Sequence, residues 1–333
     1  MTIIPLDTVE CNDFNKETLK ILKPYFDIDH RSNQKTLWFN NLLTLATHSL
    51  GIAHCVQHNH GARLCMSISF ADTTPPLFYQ SEYEKQIGCW SNKKMSDSLS
   101  LKGNLVSGKK YWISNLYQGD YGIFTIPTGT TVNNSAEEAY VLFDFTSGDH
   151  PIDLSFPNLI GMEIARAGSL IVDNYQVPDG YILGKRHYFD TNSRFSQISS
   201  WTDYGFITNY LGCIVGLFDD LKNHTSNKKI NIDYELRNIG LEISSLKMMW
   251  TDNLDSVEQT SGFTDKFWHR RNTQYTQSKN ILLKLINLVL QTADSRWWDA
   301  NGAKNQRFRD ALVFSTHMKP LYTNLQEKHF IQF

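Results

Sequence analysis

Paired cysteines are missing from this chain of 333 residues: its five cysteines, at 11, 55, 65, 89 and 213, include no CxxC. That excludes a zinc ribbon or a dithiol redox motif, and an odd, dispersed set reads as free thiols in a reducing compartment. An excess of one charge sign is also missing, since 32 Lys and Arg face 34 Asp and Glu for a net charge of -2. With no basic surplus to neutralise phosphates, charge argues against a nucleic-acid partner. No apolar run is long enough to span a bilayer; the best, around Ile281 to Leu290, is interrupted by Lys284 and Asn287. The segment from Met1 to Phe14 has no basic stretch followed by an apolar one, so no signal peptide is expected. There is no G-x-G-x-x-G and no phosphate loop, so nothing in the sequence independently announces a dinucleotide. Internal repeats and low-complexity segments are absent too. These absences lead to the expectation of a cytoplasmic protein without a membrane span.

What is present is core-forming material. Apolar residues make up 41% and aromatics 13%, with eight Trp, which suits packing and flat ligands alike. Three zones separate by periodicity, predicting an α+β chain: an N-terminal helical domain over 1–78, a central antiparallel β-barrel or sandwich over 79–187 and a C-terminal helical bundle over 188–333. In the first zone, Thr36 to Met66 contains no proline, and Leu42, Leu45, Ala46 and Ser49 recur at helical spacing. Short β-favouring runs follow: Tyr111–Ile113, Gly122–Ile126, Ala139–Phe145 and Leu170–Val172, parted by Gly, Asn, Asp and Pro. In the last zone, Tyr204–Leu221 carries Gly205, Gly212 and Gly216 on neighbouring turns, a surface another helix can approach closely. Amphipathic stretches at Asp233–Val257 and Tyr275–Ala293 complete the bundle.

Three local strings, in this order along the chain, resemble those of the acyl-CoA dehydrogenase superfamily. Leu105-Val-Ser-Gly-Lys-Lys-Tyr-Trp-Ile-Ser-Asn115 is similar to the family's L-x-G-x-K-x-W/Y-I-T/S-N strand. Gly161-Met-Glu-Ile-Ala-Arg-Ala-Gly-Ser-Leu-Ile-Val-Asp-Asn-Tyr-Gln-Val-Pro178, closing at Leu183-Gly184, is similar to its G-M…V-P…L-G segment. Asn305-Gln-Arg-Phe-Arg-Asp-Ala311 resembles its R-x-x-R-D-A string. The resemblance implies a helix–sheet–helix flavoprotein holding FAD, with FMN or loss of the cofactor as alternatives. It carries the flavin-contacting role to Trp112 and Ser114, and by the Gly88-Cys-Trp-Ser91 string to Trp90 and Ser91. An isoalloxazine ring calls for a flat apolar wall and a few donors, and strand alternation would put Trp112 and Ser114 on one face. It also implies a homo-oligomer or a companion dehydrogenase subunit as partner, and a small-molecule substrate such as an acyl-CoA.

The chain departs from the family pattern where chemistry is done. The Thr-Glu-Pro expected after Cys89 is missing, as is the Y-x-x-x-R-x-Q-F-G arginine that grips the pyrophosphate; Lys228 and Lys229 offer charge instead. Dehydrogenation of an acyl thioester needs a carboxylate base. Met318 stands at the position the resemblance assigns to that Glu, and the nearest substitute is Asp203. Ser315-Thr-His-Met-Lys-Pro-Leu-Tyr322 resembles the H-x-P-x-x-Y tail of flavin monooxygenases with the same fold, which gives His317 a proton-handling role. His54 and His58, four residues apart, have metal-ligand spacing but no third ligand in view. Three functions stay open: an acyl-CoA dehydrogenase-like oxidoreductase using Asp203 or no base, a flavin-dependent monooxygenase using His317, and a degenerate companion subunit without flavin.

Overall fold

A computed structural model describes residues 16–26, 35–70, 87–90, 98–114, 116, 119–132, 135–146, 152–155, 161–165, 167–187, 196–228, 232–254, 257, 265–295, 297–299 and 302–317. The predicted order of helices, sheet and helices is the one observed. Helices α1 (Lys16–Phe26), α2 (Lys35–His48) and α3 (Leu50–Ser69) come first. Strands β1 (Ile87–Trp90), β2 (Ser100–Lys102), β3 (Leu105–Ile113), β4 (Tyr121–Val132), β5 (Ser135–Asp144), β6 (Ile152–Ser155), β7 (Gly168–Gln176) and β8 (Ile182–His187) follow. Helices α4 (Ser196–Lys228), α5 (Asp233–Leu254), α6 (Asp265–Thr292) and α7 (Ala303–His317) come after the strands. No helix among the described residues is long and apolar enough to cross a membrane.

The uninterrupted helix expected over 36–66 is two helices. Ser49 leaves helical geometry at φ −144° and caps α3, its hydroxyl accepting from the Ile52 N–H at 3.4 Å. A serine hydroxyl satisfies one of the four orphan N–H groups at a helix start. The break costs one residue, because the Ser49 N–H still bonds the Leu45 carbonyl at 2.7 Å, and so it leaves the apolar spacing unchanged.

Among the described residues the central zone is two four-stranded sheets, β1-β4-β5-β8 and β2-β3-β7-β6, packed face to face as a sandwich. All pairings are antiparallel except β1 with β4. Phe124, Ile126, Val141 and Phe143 point into the layer between the sheets, with Val106, Leu170 and Tyr175 from the other side. The alternate residues Tyr121, Ile123, Tyr140 and Leu142 point the opposite way, into the helical core. The first sheet is therefore covered on both faces, which is why β4 and β5 read as nearly continuous apolar runs.

The helices before and after the sheets share one core, from Leu22 on α1 to Phe314 on α7. Its axis is α4. A Cβ on Gly212 would lie 2.4 Å from the Ala46 Cβ, and one on Gly216 would lie 2.3 Å from the Thr47 carbonyl oxygen. Real side chains do not tolerate such approaches, so these glycines let α2 lie directly on α4. The helix that the glycine face accommodates is thus one of this chain's own.

A second junction ties the sandwich to α7. Gly161, at φ +93°, brings its backbone against Arg309. The buried Met162 N–H donates to Asp310 Oδ1 at 2.5 Å, and Gln306 Nε2 donates to the same oxygen at 2.8 Å. Arg309 meets Glu163 Oε1 at 2.5 Å. Burial raises Asp310 to about 6 against the pull of its two hydrogen bonds. Burial acts in the same direction on Glu163, but hydrogen bonds from Gln306 and the Gly161 N–H, with the Arg309 charge, outweigh it and hold Glu163 below the ordinary range.

Candidate functional site

Where β3 ends, a hydroxyl meets an imidazole. Ser114 is buried and its Oγ lies 2.8 Å from Nε2 of His54, which α3 brings across from the helical layer. The same His54 nitrogen lies 3.2 Å from Nε2 of His58, one turn further along α3. The two rings meet edge to face, at 89° with centroids 4.5 Å apart. Phe206 of α4 and Phe314 of α7 flank His54, with ring centroids at 5.5 and 5.9 Å. Four elements converge here: β3, α3, α4 and α7.

The chemistry of this cluster follows from valence. A ring nitrogen offers one proton or one lone pair in the ring plane, not both. His54 Nε2 has two polar partners within hydrogen-bond distance, so Ser114, His54 and His58 compete for a single hydrogen position. That nitrogen therefore serves one of its two partners at a time, as an acceptor when it carries the lone pair or as a donor when it carries the proton. A second polar layer lies behind it: Gln57 donates to the Thr202 carbonyl at 2.7 Å and accepts from Asn209 at 2.6 Å. That layer fixes α3 against α4 and so holds His54 and His58 in place.

Of the residues singled out in the sequence, Ser114, His54 and His58 are placed together at this cluster. Trp112 and Trp90 belong to β3 and β1, but their side chains lie outside the described residues, as does Ser91 entirely. The alternation expected to put Trp112 and Ser114 on one face meets a bulge: β3 advances three residues from Lys110 to Ile113 while β7 advances two, from Leu170 to Gly168. His317 is the last residue of α7, its side chain also outside the described residues. Asp203 is not at a helix start, because α4 begins at Ser196. Its Oδ1 accepts from Arg271 of α6 at 2.7 Å, an ion pair whose arginine is almost fully buried.

His54 and His58 were visible in the sequence only as a spacing. That spacing is one that two metal ligands can have, and among the described residues no group of three metal-ligating side chains occurs. What their spacing left unstated was that a strand end would place a hydroxyl against them. Cys213 of α4 is buried, and burial together with the Asp310 charge pushes its thiol up to about 12.

The architecture matches solved structures over nearly its whole length. The HsaA monooxygenase from M. tuberculosis superposes with a TM-score of 0.72 at 12% identity, covering 94% of this chain and 88% of that one. Butyryl-CoA dehydrogenase from Megasphaera elsdenii gives 0.71 at 10% identity, covering 94% and 87%. TdsC from Paenibacillus sp. A11-2, solved with FMN and indole, gives 0.65 at 13% identity, covering 95% and 89%. The chain therefore has the acyl-CoA dehydrogenase-like fold, which flavin monooxygenases share. No protein-family model and no curated protein matches its sequence.

Proposed function

We propose that this chain is a flavin-dependent oxidoreductase of the monooxygenase kind, acting on a small apolar substrate. The observation that carries this reading is the buried Ser114–His54–His58 chain. Its chemistry suits a flavin: a hydroxyl and an imidazole are donor types that the polar edge of the ring calls for, while Phe206 and Phe314 give His54 an apolar surround. Trp112, and with it Trp90 and Ser91, would complete the wall by the resemblance described above. Bound flavin, FAD or FMN, would supply two-electron redox chemistry that no side chain here possesses. Ser114 would orient the ring edge. His54 would give or take the proton that oxygen insertion requires, with His58 holding it, and His317 is a second candidate for that task. The TdsC complex with FMN and indole, being of the same fold, supports the idea that a small planar substrate fits.

Acyl-CoA dehydrogenation ranks second. It needs a carboxylate free to remove an α-proton. The carboxylate the sequence offered, Asp203, is tied to Arg271, and Met318 replaces the family's Glu. A companion subunit without flavin ranks third, because a packing role alone gives no reason for two imidazoles to share one hydrogen position.

Titration of the purified protein with FAD and FMN is the direct test. One of them should bind, and Ser114→Ala should weaken that binding by roughly tenfold, the value of one hydrogen bond. His54→Ala should keep the flavin but slow oxygen-dependent product formation by about 10²-fold or more. A colourless protein that takes up neither flavin sinks the proposal; bleaching by an acyl-CoA under nitrogen would move it to dehydrogenation.

A further inference from the structure

Helices α1 and α3 leave between them a cavity of about 50 Å³. Four residues of α3 line it: Val56, Asn59, His60 and Arg63. A helix turns about 100° per residue, so these four lie on the side of α3 away from His54 and His58. The cavity is therefore separate from the hydroxyl–imidazole cluster. It exceeds the ~10–15 Å³ that one water needs and falls short of the ~150 Å³ that takes a benzene ring, so it admits a group of a few heavy atoms.

Its walls are of two kinds. Leu22, Phe26 and Val56 supply apolar surface, while the exposed Lys23 and the half-buried Arg63 bring positive charge. No carboxylate is among the described residues that line it. Arg63 is oriented by its neighbour one turn earlier, its Nε donating to Asn59 Oδ1 at 2.9 Å. Asn59 is only 8% exposed, and its Nδ2 has no hydrogen-bond partner. A buried N–H without an acceptor is costly, and an acceptor seated against it removes that cost. His60 backs onto Trp38 and Trp201, with ring centroids at 4.1 and 5.1 Å, so its side of the cavity is fixed by the core behind it.

The occupant follows from these walls. A buried donor lacking an acceptor, beside two cations, calls for an anion. The apolar side disfavours a dianion such as phosphate, whose charge is costly to bring out of water, and suits a carboxylate that carries a hydrocarbon chain. A carboxylate also matches the planar fork of a guanidinium. We propose that the crevice between α1 and α3 binds a small aliphatic monocarboxylate, its head at Arg63 and Asn59 and its chain along Leu22, Phe26 and Val56. This does not depend on the flavin reading.

Isothermal titration calorimetry of the full chain with sodium hexanoate is the test. Hexanoate should bind with a dissociation constant below about 1 mM, and inorganic phosphate at least about tenfold more weakly. Hexylamine, with the same chain and the opposite charge, should not bind. Arg63→Gln should weaken hexanoate about tenfold or more, the loss of a hydrogen bond to a charged group. Asn59→Asp puts a carboxylate where the amide stood and should abolish binding. Ser114→Ala, across α3 from the cavity, should leave the affinity unchanged. Should Asn59→Asp fail to fold by circular dichroism, Lys23→Gln combined with Arg63→Gln replaces it, at positions nearer the surface. No hexanoate binding by the wild type overturns the proposal. So do equal binding of hexylamine, tighter binding of phosphate, an Arg63→Gln variant of unchanged affinity, or loss of binding in Ser114→Ala.

Discussion

Gly212 and Gly240 are both helical glycines, and their surroundings give them opposite consequences. At Gly212 the space a methyl group needs is already taken by Ala46 and the Leu43 carbonyl oxygen, at 2.4 and 2.8 Å. Gly212→Ala should therefore destabilise the protein by about 2–3 kcal/mol through overpacking. At Gly240 an added Cβ would meet only the Phe218 ring, at an ordinary 3.5 Å. Gly240→Ala should stabilise by up to about 1 kcal/mol, because alanine loses less backbone freedom on entering a helix. Urea unfolding of the two variants checks both signs. The sequence showed the glycines of α4 and that a helix would lie on them. It left open which helix, because a missing side chain records a close approach without naming what approaches. The same limit applies to His54 and His58, whose spacing was plain and whose hydroxyl partner was not.

At the scale of elements, apolar periodicity located the long helices of the bundle well, since a wide buried stripe repeats every turn. It missed the break at Ser49, where one residue leaves helical geometry while the spacing of apolar residues continues. It also began the first long helix of the bundle at Tyr204, because residues 196–203 offer only Ile198 and Trp201 as apolar signal, although α4 includes them. The position of Asp203 matters for function. Arg271 is only 4% exposed, so Asp203 neutralises a buried cation between α4 and α6. Asp203→Asn should lower stability by roughly 3 kcal/mol, the cost of stranding a buried charge. Flavin binding at the folded protein should be unaffected, and any oxidation rate should change little. Loss of activity with unaltered thermal stability would instead identify Asp203 as a base.

For the whole molecule, the contact between sandwich and bundle at Met162, Glu163 and α7 gives stability a distinct pH dependence. Asp310 is raised to about 6 in the folded state by burial. A group raised on folding binds its proton more tightly in the native protein, so its contribution is complete below about pH 4 and is lost as pH rises through about 6. Comparing wild type with Asp310→Asn should isolate it. Between pH 4 and 6 the wild type should lose on the order of 2–3 kcal/mol relative to the variant, as read from paired denaturant titrations. A constant difference across that range would mean that the carboxyl is not raised. This junction was half legible: the Gly161-Met and Arg309-Asp strings were each recognisable, but nothing in either announced that one bonds the other.

By itself the sequence determined the order of layers, because apolar periodicity reports which face of an element must leave water. It determined where β4 and β5 run, since Gly122–Ile126 and Ala139–Phe145 are β-favouring stretches bounded by turn residues. Only the tertiary structure decided that α2 lies on the glycines of α4, that Asp310 meets Met162, and that Ser114 ends against His54. Those contacts join residues 60 and more positions apart, as Ser114 and His54 are. Hydrogen bonds of that kind depend on the relative placement of whole elements, and no local pattern of side chains encodes it.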